Sequence, residues 1–326
     1  MQLDDFDLEP LLRGARYRAT RIGADAGFAS RVYRLEADGD SGDLPPRLVA
    51  KLSVESAREV SFYAQLGAHC LPLVPQCYAA RYDEATGQCV LLLEDLDGAD
   101  WGDSAAGCSV DQARAAVDTL AALHSRWWGS PALDTLAWLP RYGDFVAQLR
   151  KYGERKATFA ARYADCLTTA TRSMLDAIRP EHAQVLAPLA TPPRTLIHVD
   201  SHIDNWAFAA DRAVLFDWQR CATGCAAVDL AQLFVGGLPV DARAEHEPTL
   251  VARYHAAMQA GGVDDYPIEI LQIDLRLALL RLWIGTVNGC GSDYAADWTG
   301  RQLDITRLAV CRWGALAVDY DLAGLL

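Results

Sequence analysis

The stretch Leu196-Ile197-His198-Val199-Asp200-Ser201-His202-Ile203-Asp204-Asn205-Trp206-Ala207-Phe208, followed after a turn by Val214-Leu215-Phe216-Asp217-Trp218-Gln219, decides the fold. Two short apolar runs, Trp206–Phe208 and Ala213–Phe216, flank a polar turn at Asp211–Arg212, the pattern of a small hairpin. A hairpin returns its ends to one place, so Asp200 and Asn205 at one end and Asp217 at the other are expected to converge. Oxygen-bearing side chains of this kind suit a hard cation and a hydroxyl nucleophile. Asp204 and Asp211 read as ordinary turn formers.

An Asp, an Asn five positions later and a further Asp beyond a short hairpin match the His-x-Asp-x-x-x-x-Asn and Asp-x-x arrangement of a kinase catalytic centre. At these residues the chain resembles the aminoglycoside and choline type small-molecule phosphotransferases, in particular their ecdysteroid-kinase-like branch. The family writes His-Gly-Asp where this chain has His198-Val199-Asp200, and Asp-Phe-Gln or Asp-Trp-x where it has Asp217-Trp218-Gln219. The departure is Val199, a β-branched residue at a position where glycine accepts backbone conformations that valine resists. The resemblance implies that Asp200 orients and deprotonates the acceptor hydroxyl, while Asn205 and Asp217 hold magnesium on the nucleotide phosphates. It also implies supporting roles for His198, which would orient the loop, for Asp229, which would brace it through backbone hydrogen bonds, and for His202.

Composition bounds the alternatives. The chain has 326 residues, half of them hydrophobic, enough for two lobes with ample core. A formal net charge of −13 argues against nucleic acid or anionic membrane as partner. It does not exclude a nucleotide, whose phosphates need only local amides, a lysine and a metal. The acidic start Met1-Gln2-Leu3-Asp4-Asp5 is unlike a secretory signal, and the apolar segment Ile268–Val287 is interrupted by Asp274, Arg276 and Arg281. A cytoplasmic protein with a buried helix there is expected. Nine scattered cysteines suit a reducing compartment. Cys221 and Cys225 near His198 and His202 lack usual zinc-site spacing, so buried thiols are favoured over a zinc site.

The N-terminal part reads as short strands with one helix. Arg16–Gly23 and Ser30–Ala37 are strand candidates joined by Gly23-Ala24-Asp25-Ala26-Gly27-Phe28-Ala29. Set against a kinase glycine-rich loop, Gly27 takes the second glycine position, Asp25 stands at the first and Ser30 at the third. By itself this pattern is that of any hairpin turn. Arg47–Leu52 is a strand with Lys51 in its middle, where the kinase fold keeps the lysine that contacts the α and β phosphates. A helix follows over Ser56–Leu66. Its Glu59-x-x-Phe62-Tyr63 matches the family pattern for the partner of that lysine, with Glu55 as the fallback. Ser56-x-x-Glu59 is equally a capping box, and the ion pair is favoured over it because of its place after Lys51. Cys77–Tyr82 and Gln88–Glu94 form a hairpin that runs into a hinge-like segment, where the Glu94 carbonyl and the Leu96 amide are expected to meet the adenine edge.

From Ser109 the texture is helical. Ser109-x-x-Gln112 caps a helix with Ala113, Ala116, Val117, Leu120 and Leu123 on one face, and His124 at its end reads as structural. Further helices are expected over Tyr142–Lys151, Tyr163–Ile178, Ala183–Leu189, Asp241–Ala260, Ile268–Val287 and Tyr294–Asp319. Twelve positions separate Asp217 from Asp229, too few for a protein-kinase activation segment, and Ala-Pro-Glu is absent there. The expectation is an α+β, two-lobed, protein-kinase-like fold. Residues 1–95 would form a nucleotide-binding lobe with an antiparallel sheet and one helix, and 96–326 a helical lobe with the catalytic loop and acceptor site. The activity expected is transfer of the γ-phosphoryl group from ATP or GTP, with magnesium, to a hydroxyl of a small organic molecule. The alternative is a catalytically silent nucleotide-binding scaffold. The acceptor is left open among aminosugars, macrolides, choline, sugars and steroid-like alcohols, the acidic chain being only faintly in favour of a cation.

Overall fold

A computed structural model describes residues 3–23, 30–54, 56–191 and 193–326. The chain divides into two compact units, Met1–Asp100 with Ala207–Cys221 and Trp101–Trp206 with Ala222–Leu326. The first unit therefore takes in a late segment that a single cut after residue 95 leaves out.

The first unit begins with a short helix α1 (Glu9–Leu12) and builds a sheet from β1 (Tyr17–Ile22), β2 (Arg31–Ala37), β3 (Arg47–Ser53), β4 (Cys77–Tyr82) and β5 (Cys89–Glu94), with helix α2 (Ala57–Gln65) after β3. The strand order is β1-β2-β3-β5-β4, antiparallel throughout. Alternation along β3 explains its packing: Leu48, Ala50 and Leu52 are fully buried on one face and join Phe6, Tyr33, Leu35, Leu44, Val90 and Leu92 in one core. Lys51, between them in sequence, projects from the other face, opposite Val32 and Leu91 in the ladders. The β4–β5 turn closes because Asp83 accepts from the amides of Ala85 (2.9 Å) and Thr86 (3.2 Å), and Gly87 takes the positive φ of 71° that the reversal needs. Trp206–Phe208 and Ala213–Leu215 are hydrogen-bonded neighbours, joined through Ala209 N to Arg212 O at 2.9 Å, as the hairpin pattern implies.

The second unit holds helices α3 (Val110–Trp127), α4 (Phe145–Arg162), α5 (Thr169–Ala177), α6 (Ala227–Gly236), α7 (Val240–Ala260), α8 (Ile268–Cys290) and α9 (Gly300–Asp319). The capping box of α3 forms in both directions: Gln112 N donates to Ser109 Oγ (3.1 Å) and Ser109 N to Gln112 Oε1 (2.9 Å). Helix α8 is the core element. Its Trp283 meets Phe159 of α4 and Trp313 of α9 edge-on, each at 5.6 Å between ring centroids. No helix among the described residues is long and apolar enough to cross a membrane.

Four of the expected helices differ from the sequence expectation. The helix expected over Tyr142–Lys151 starts at Phe145 and runs on through Gly153 to Arg162, because Asp144 caps it from a left-handed conformation and Tyr142 N is already donated to Thr223 O at 2.7 Å. The helix expected over Tyr163–Ile178 is cut to Thr169–Ala177 by the Thr168 cap, whose Oγ1 accepts from Thr171 N. Ala183–Leu189 is two 3₁₀ turns, Pro180–Gln184 and Ala187–Ala190, each opened by a proline in its first turn. Likewise Tyr294–Asp297 belongs to a 3₁₀ turn and α9 starts at Gly300.

Candidate active site

The residues singled out in the sequence fall into two groups, one in each unit. In the first, Lys51 Nζ lies 2.7 Å from Glu59 Oε2 and 2.6 Å from Asp217 Oδ1. Glu59 is on the buried face of α2 with Phe62 and Tyr63, the i, i+3, i+4 spacing that keeps three side chains on one side of a helix. Ser56 makes no side-chain cap at the start of α2, so Glu59 is spent on Lys51 and on Trp218 N, which donates to its Oε1 at 3.1 Å. Phe62 stacks on the Trp218 ring with 4.0 Å between centroids and 1° between planes, a contact worth about 0.5–1.5 kcal/mol beyond its buried area. Asp217 adopts a left-handed conformation (φ 67°), and Gln219 Nε2 donates to its Oδ2 at 3.4 Å. Burial alone pulls the Lys51 ammonium down, but Glu59 and Asp217 more than reverse this and hold it above its ordinary range. The result is a lysine fixed as a cation between two anchored carboxylates.

The hinge-like segment is tied by side chain as well as backbone. Glu94 N donates to Gln76 O (2.8 Å), its carboxylate accepts from Gln76 N (3.1 Å), and Arg212 pairs with the same carboxylate. Leu96 is buried against Ala207 and Val214. Ser30 immediately precedes β2, whereas Gly27 and Asp25 of the glycine loop, and the fallback acid Glu55, lie outside the described residues.

In the second unit, the strand Thr195–Ile197 pairs antiparallel with Ala222–Gly224 and delivers the chain into His198-Val199-Asp200. The loop is pinned by Asp229, at the start of α6 and fully buried, whose two oxygens accept from the amides of His198 (2.6 Å) and Val199 (2.8 Å). Ser201 Oγ donates to Asp229 O at 2.8 Å. Behind the carboxylate, His124 Nε2 is 3.3 Å from Asp229 Oδ2, and its Nδ1 is 2.7 Å from Tyr254 OH. A carboxylate only accepts, so Nε2 carries the proton and Nδ1 accepts from the tyrosine. Burial pushes the Tyr254 hydroxyl well up, which keeps it a donor. His124 is thus the structural histidine that its place at the end of α3 suggests, with Asp229 as its second partner.

Val199 takes φ 70°, the left-handed region, with its carbonyl accepting from Gln232 Nε2 at 3.1 Å. A conformation natural to glycine is imposed on valine by bonds at both ends of the residue. Asp200 N donates to His198 Nδ1 at 3.3 Å, and Asp200 O accepts from Asn205 Nδ2 at 2.7 Å. That last bond fixes the Asn205 amide, turning its Oδ1 away from the Asp200 carbonyl as a free hard oxygen donor. His202 Nε2 lies 4.0 Å from Asp200 Oδ1 and its Nδ1 lies 3.4 Å from Asp204 Oδ2.

Asp204 is more than a turn former. Its Oδ1 accepts from Ser104 N at 2.9 Å, its Oδ2 accepts from Ser104 Oγ, and Arg301 approaches to 3.6 Å. Burial pushes its carboxyl up, yet the hydrogen bonds from His202 and Ser104 outweigh that and bring it down to about 2. The loop also needs Gly102, where a Cβ would fall 1.8 Å from Ile203 O. Ser104 and Arg301 lie far from Asp204 in sequence, so no local pattern marks them.

Of the residues expected to hold a metal, Asp217 carries carboxylate oxygens in the first unit and Asn205 an amide oxygen in the second, each a hard ligand of the type small divalent cations take. Among the described residues no three His, Cys, Asp or Glu side chains are grouped to hold a metal ion. Cys221 and Cys225 are buried thiols outside any disulfide.

Comparison with known proteins adds the family. A model of the phosphotransferase enzyme family matches residues 20–267. No curated protein matches the chain. Among solved structures, choline kinase from Cryptosporidium parvum is similar at TM-score 0.62 and 11% identity, over 95% of this chain and 91% of that one. A choline/ethanolamine kinase family protein from Mesorhizobium loti gives TM-score 0.59 at 18% identity, over 97% and 95%. An amicoumacin kinase in complex with AMP-PNP, Ca2+ and its ligand gives 0.56 at 15%, over 92% and 87%. At these identities the likeness establishes the protein-kinase-like fold.

Proposed function

Since the chain belongs to the phosphotransferase enzyme family, we propose that it transfers the γ-phosphoryl group of ATP to a hydroxyl of a small organic molecule, with magnesium. The observation that carries this reading is Lys51, fixed between Glu59 and Asp217 at 2.7 and 2.6 Å. A cation held in this way is suited to phosphate oxygens, and Glu59 keeps it from wandering. Support for a nucleotide with a divalent ion comes from the similar amicoumacin kinase, which was solved with AMP-PNP and Ca2+. Asn205 Oδ1 and an Asp217 oxygen are the proposed metal ligands. Bound there, magnesium would neutralise charge on the phosphates.

The remaining roles follow from the chain's own groups. Asp200 orients the acceptor hydroxyl and takes its proton late in a largely dissociative transfer. His198 and Asp229 hold the loop so that Asp200 keeps its aim. The Glu94 carbonyl and Leu96 amide offer the adenine edge an acceptor and a donor, and the Gly27 and Ser30 loop is assigned to the phosphates. Residues 1–95 act as the nucleotide-binding lobe and 96–326 supply the catalytic loop and acceptor site.

The test is nucleotide-dependent phosphorylation of a panel of hydroxyl compounds. Wild type is expected to turn over at least one compound with magnesium, and Asp200→Ala to lose about a hundredfold or more in kcat. An Asp200→Ala enzyme as fast as wild type would remove the base assignment. A wild type that binds magnesium nucleotide yet turns over nothing would favour the silent scaffold.

A further inference from the structure

Beyond Glu269 in its first turn, three charges interrupt the apolar helix α8, and two of them have plain structural partners. Asp274 accepts from Tyr266 OH at 2.9 Å, and Arg276 donates to the carbonyls of Tyr320 (2.8 Å) and Asp321 (2.9 Å) at the end of α9. Arg281 is different. Its guanidinium lies over the Tyr142 ring, 5.5 Å from Cζ to the centroid, and its Nε is buried with no hydrogen-bond partner among the described residues. No carboxylate among those residues lies within ion-pair distance of it. Other partly buried arginines of this unit are satisfied: Arg243 by Glu247 and Asp319, Arg312 by the carbonyls of Ser104 and Gly236, and Arg155 by Asn288 O.

The guanidinium charge is left unpaired on a side chain that is only partly exposed, a costly arrangement that a group from outside the chain would relieve. The surroundings of Arg281 keep room for it. Tyr142 is held by its amide to Thr223 O, and beside it Gly224 leaves no room for a Cβ, which would fall 2.8 Å from Tyr142 Cβ and 2.6 Å from Ile197 Cδ1. Ile197 is the residue before His198, so the stacked arginine stands two side chains from the strand that ends at the Asp200 loop. One turn along α8, Gly285 preserves space for the guanidinium, since a Cβ there would meet Arg281 Nη1 at 3.1 Å.

We propose that Arg281, seated on Tyr142, is an acceptor-recognition residue, and that the acceptor is an alcohol bearing a carboxylate. A guanidinium stacked on an aromatic face leaves its two terminal Nη groups, neither of them bonded within the described residues, for bidentate pairing with a planar anion. One cation matches one negative charge, which favours a carboxylate over a phosphate dianion in a chain of net charge −13. A cationic aminosugar, the substrate faintly suggested by that charge, is disfavoured beside it. This inference rests on the phosphotransfer reading for the fate of the hydroxyl, but not for the binding of the carboxylate.

Calorimetric titration of the full chain with short hydroxycarboxylates, their primary amides and the matching amino alcohols tests it. Wild type is expected to bind at least one hydroxycarboxylate about tenfold or more tightly than its amide. Arg281→Gln should erase that preference and Arg281→Lys should keep part of it. Gly285→Ala, a change that favours helix and so preserves folding, should weaken the carboxylate while leaving the amide unchanged. Equal binding of carboxylate and amide, tighter binding of the amine, retained preference in Arg281→Gln, or no carboxylate bound at all would each overturn the assignment. Turnover with magnesium ATP is measured on the same samples. Carboxylate binding without any phosphorylation sinks the kinase reading and leaves Arg281, whereas phosphorylation of amines alone does the reverse.

Discussion

At Val199 a β-branched side chain occupies φ 70° because Asp229 grips its amide and Gln232 its carbonyl. The left-handed conformation costs such a residue about 1–2 kcal/mol, and glycine would avoid that while adding about 0.5–1 kcal/mol of freedom to the unfolded chain. Val199→Gly is therefore expected to raise stability by up to about 1 kcal/mol in urea denaturation. A loss of 1 kcal/mol or more would mean that the valine side chain packs for a larger gain than its backbone loses. The sequence carries this question openly, as a valine in a glycine position. It does not carry the answer, because the clamp comes from Asp229 and Gln232, thirty or more positions away.

At the scale of the element, Asp204 shows how a loop residue can hold distant segments. Its folded carboxyl is near 2 against an ordinary 3.8, so it contributes stability that is fully present above the unfolded value and fades as pH falls through about 2. With allowance for solvent screening of this partly exposed group, Asp204→Asn should cost about 1–2 kcal/mol at neutral pH. The difference between variant and wild type should shrink as pH falls below 4, when wild type loses the same charge. A constant difference from neutral to acid pH would show that the charge is irrelevant. The strands of the sheet were legible because apolar alternation in Arg47–Ser53 and Cys89–Glu94 is a local signal. So was the Ser109 and Gln112 capping box. The starts of α4 and α5 were not, since Asp144 and Thr168 act as caps only because of where the preceding residues are tied. Lys51 and Glu59 could be paired on paper from strand and helix order, while Ser104 with Asp204, and Arg281 over Tyr142, join positions about a hundred or more apart with no motif to announce them.

For the molecule as a whole, none of the nine cysteines is in a disulfide, and only Cys311 is exposed, with Cys77 half-buried. Burial pushes the thiols of Cys77, Cys166 and Cys290 up to about 12 and that of Cys108 to about 11, so they are poor nucleophiles at neutral pH. A colorimetric thiol reagent should find one fast thiol in the native protein and nine after denaturation, and Cys311→Ser should abolish the fast phase. Several fast thiols in the native state would contradict this burial.

Trp218 is bound to α2 twice, by its amide to Glu59 and by its ring to Phe62, while Glu59 also grasps Lys51. Helix, lysine and the neighbouring Asp217 are geared to one another. Any tilt of α2 must carry a positive and a negative group along in step, so the helix works as a dial that turns the Lys51 ammonium and the Asp217 carboxylate with one movement.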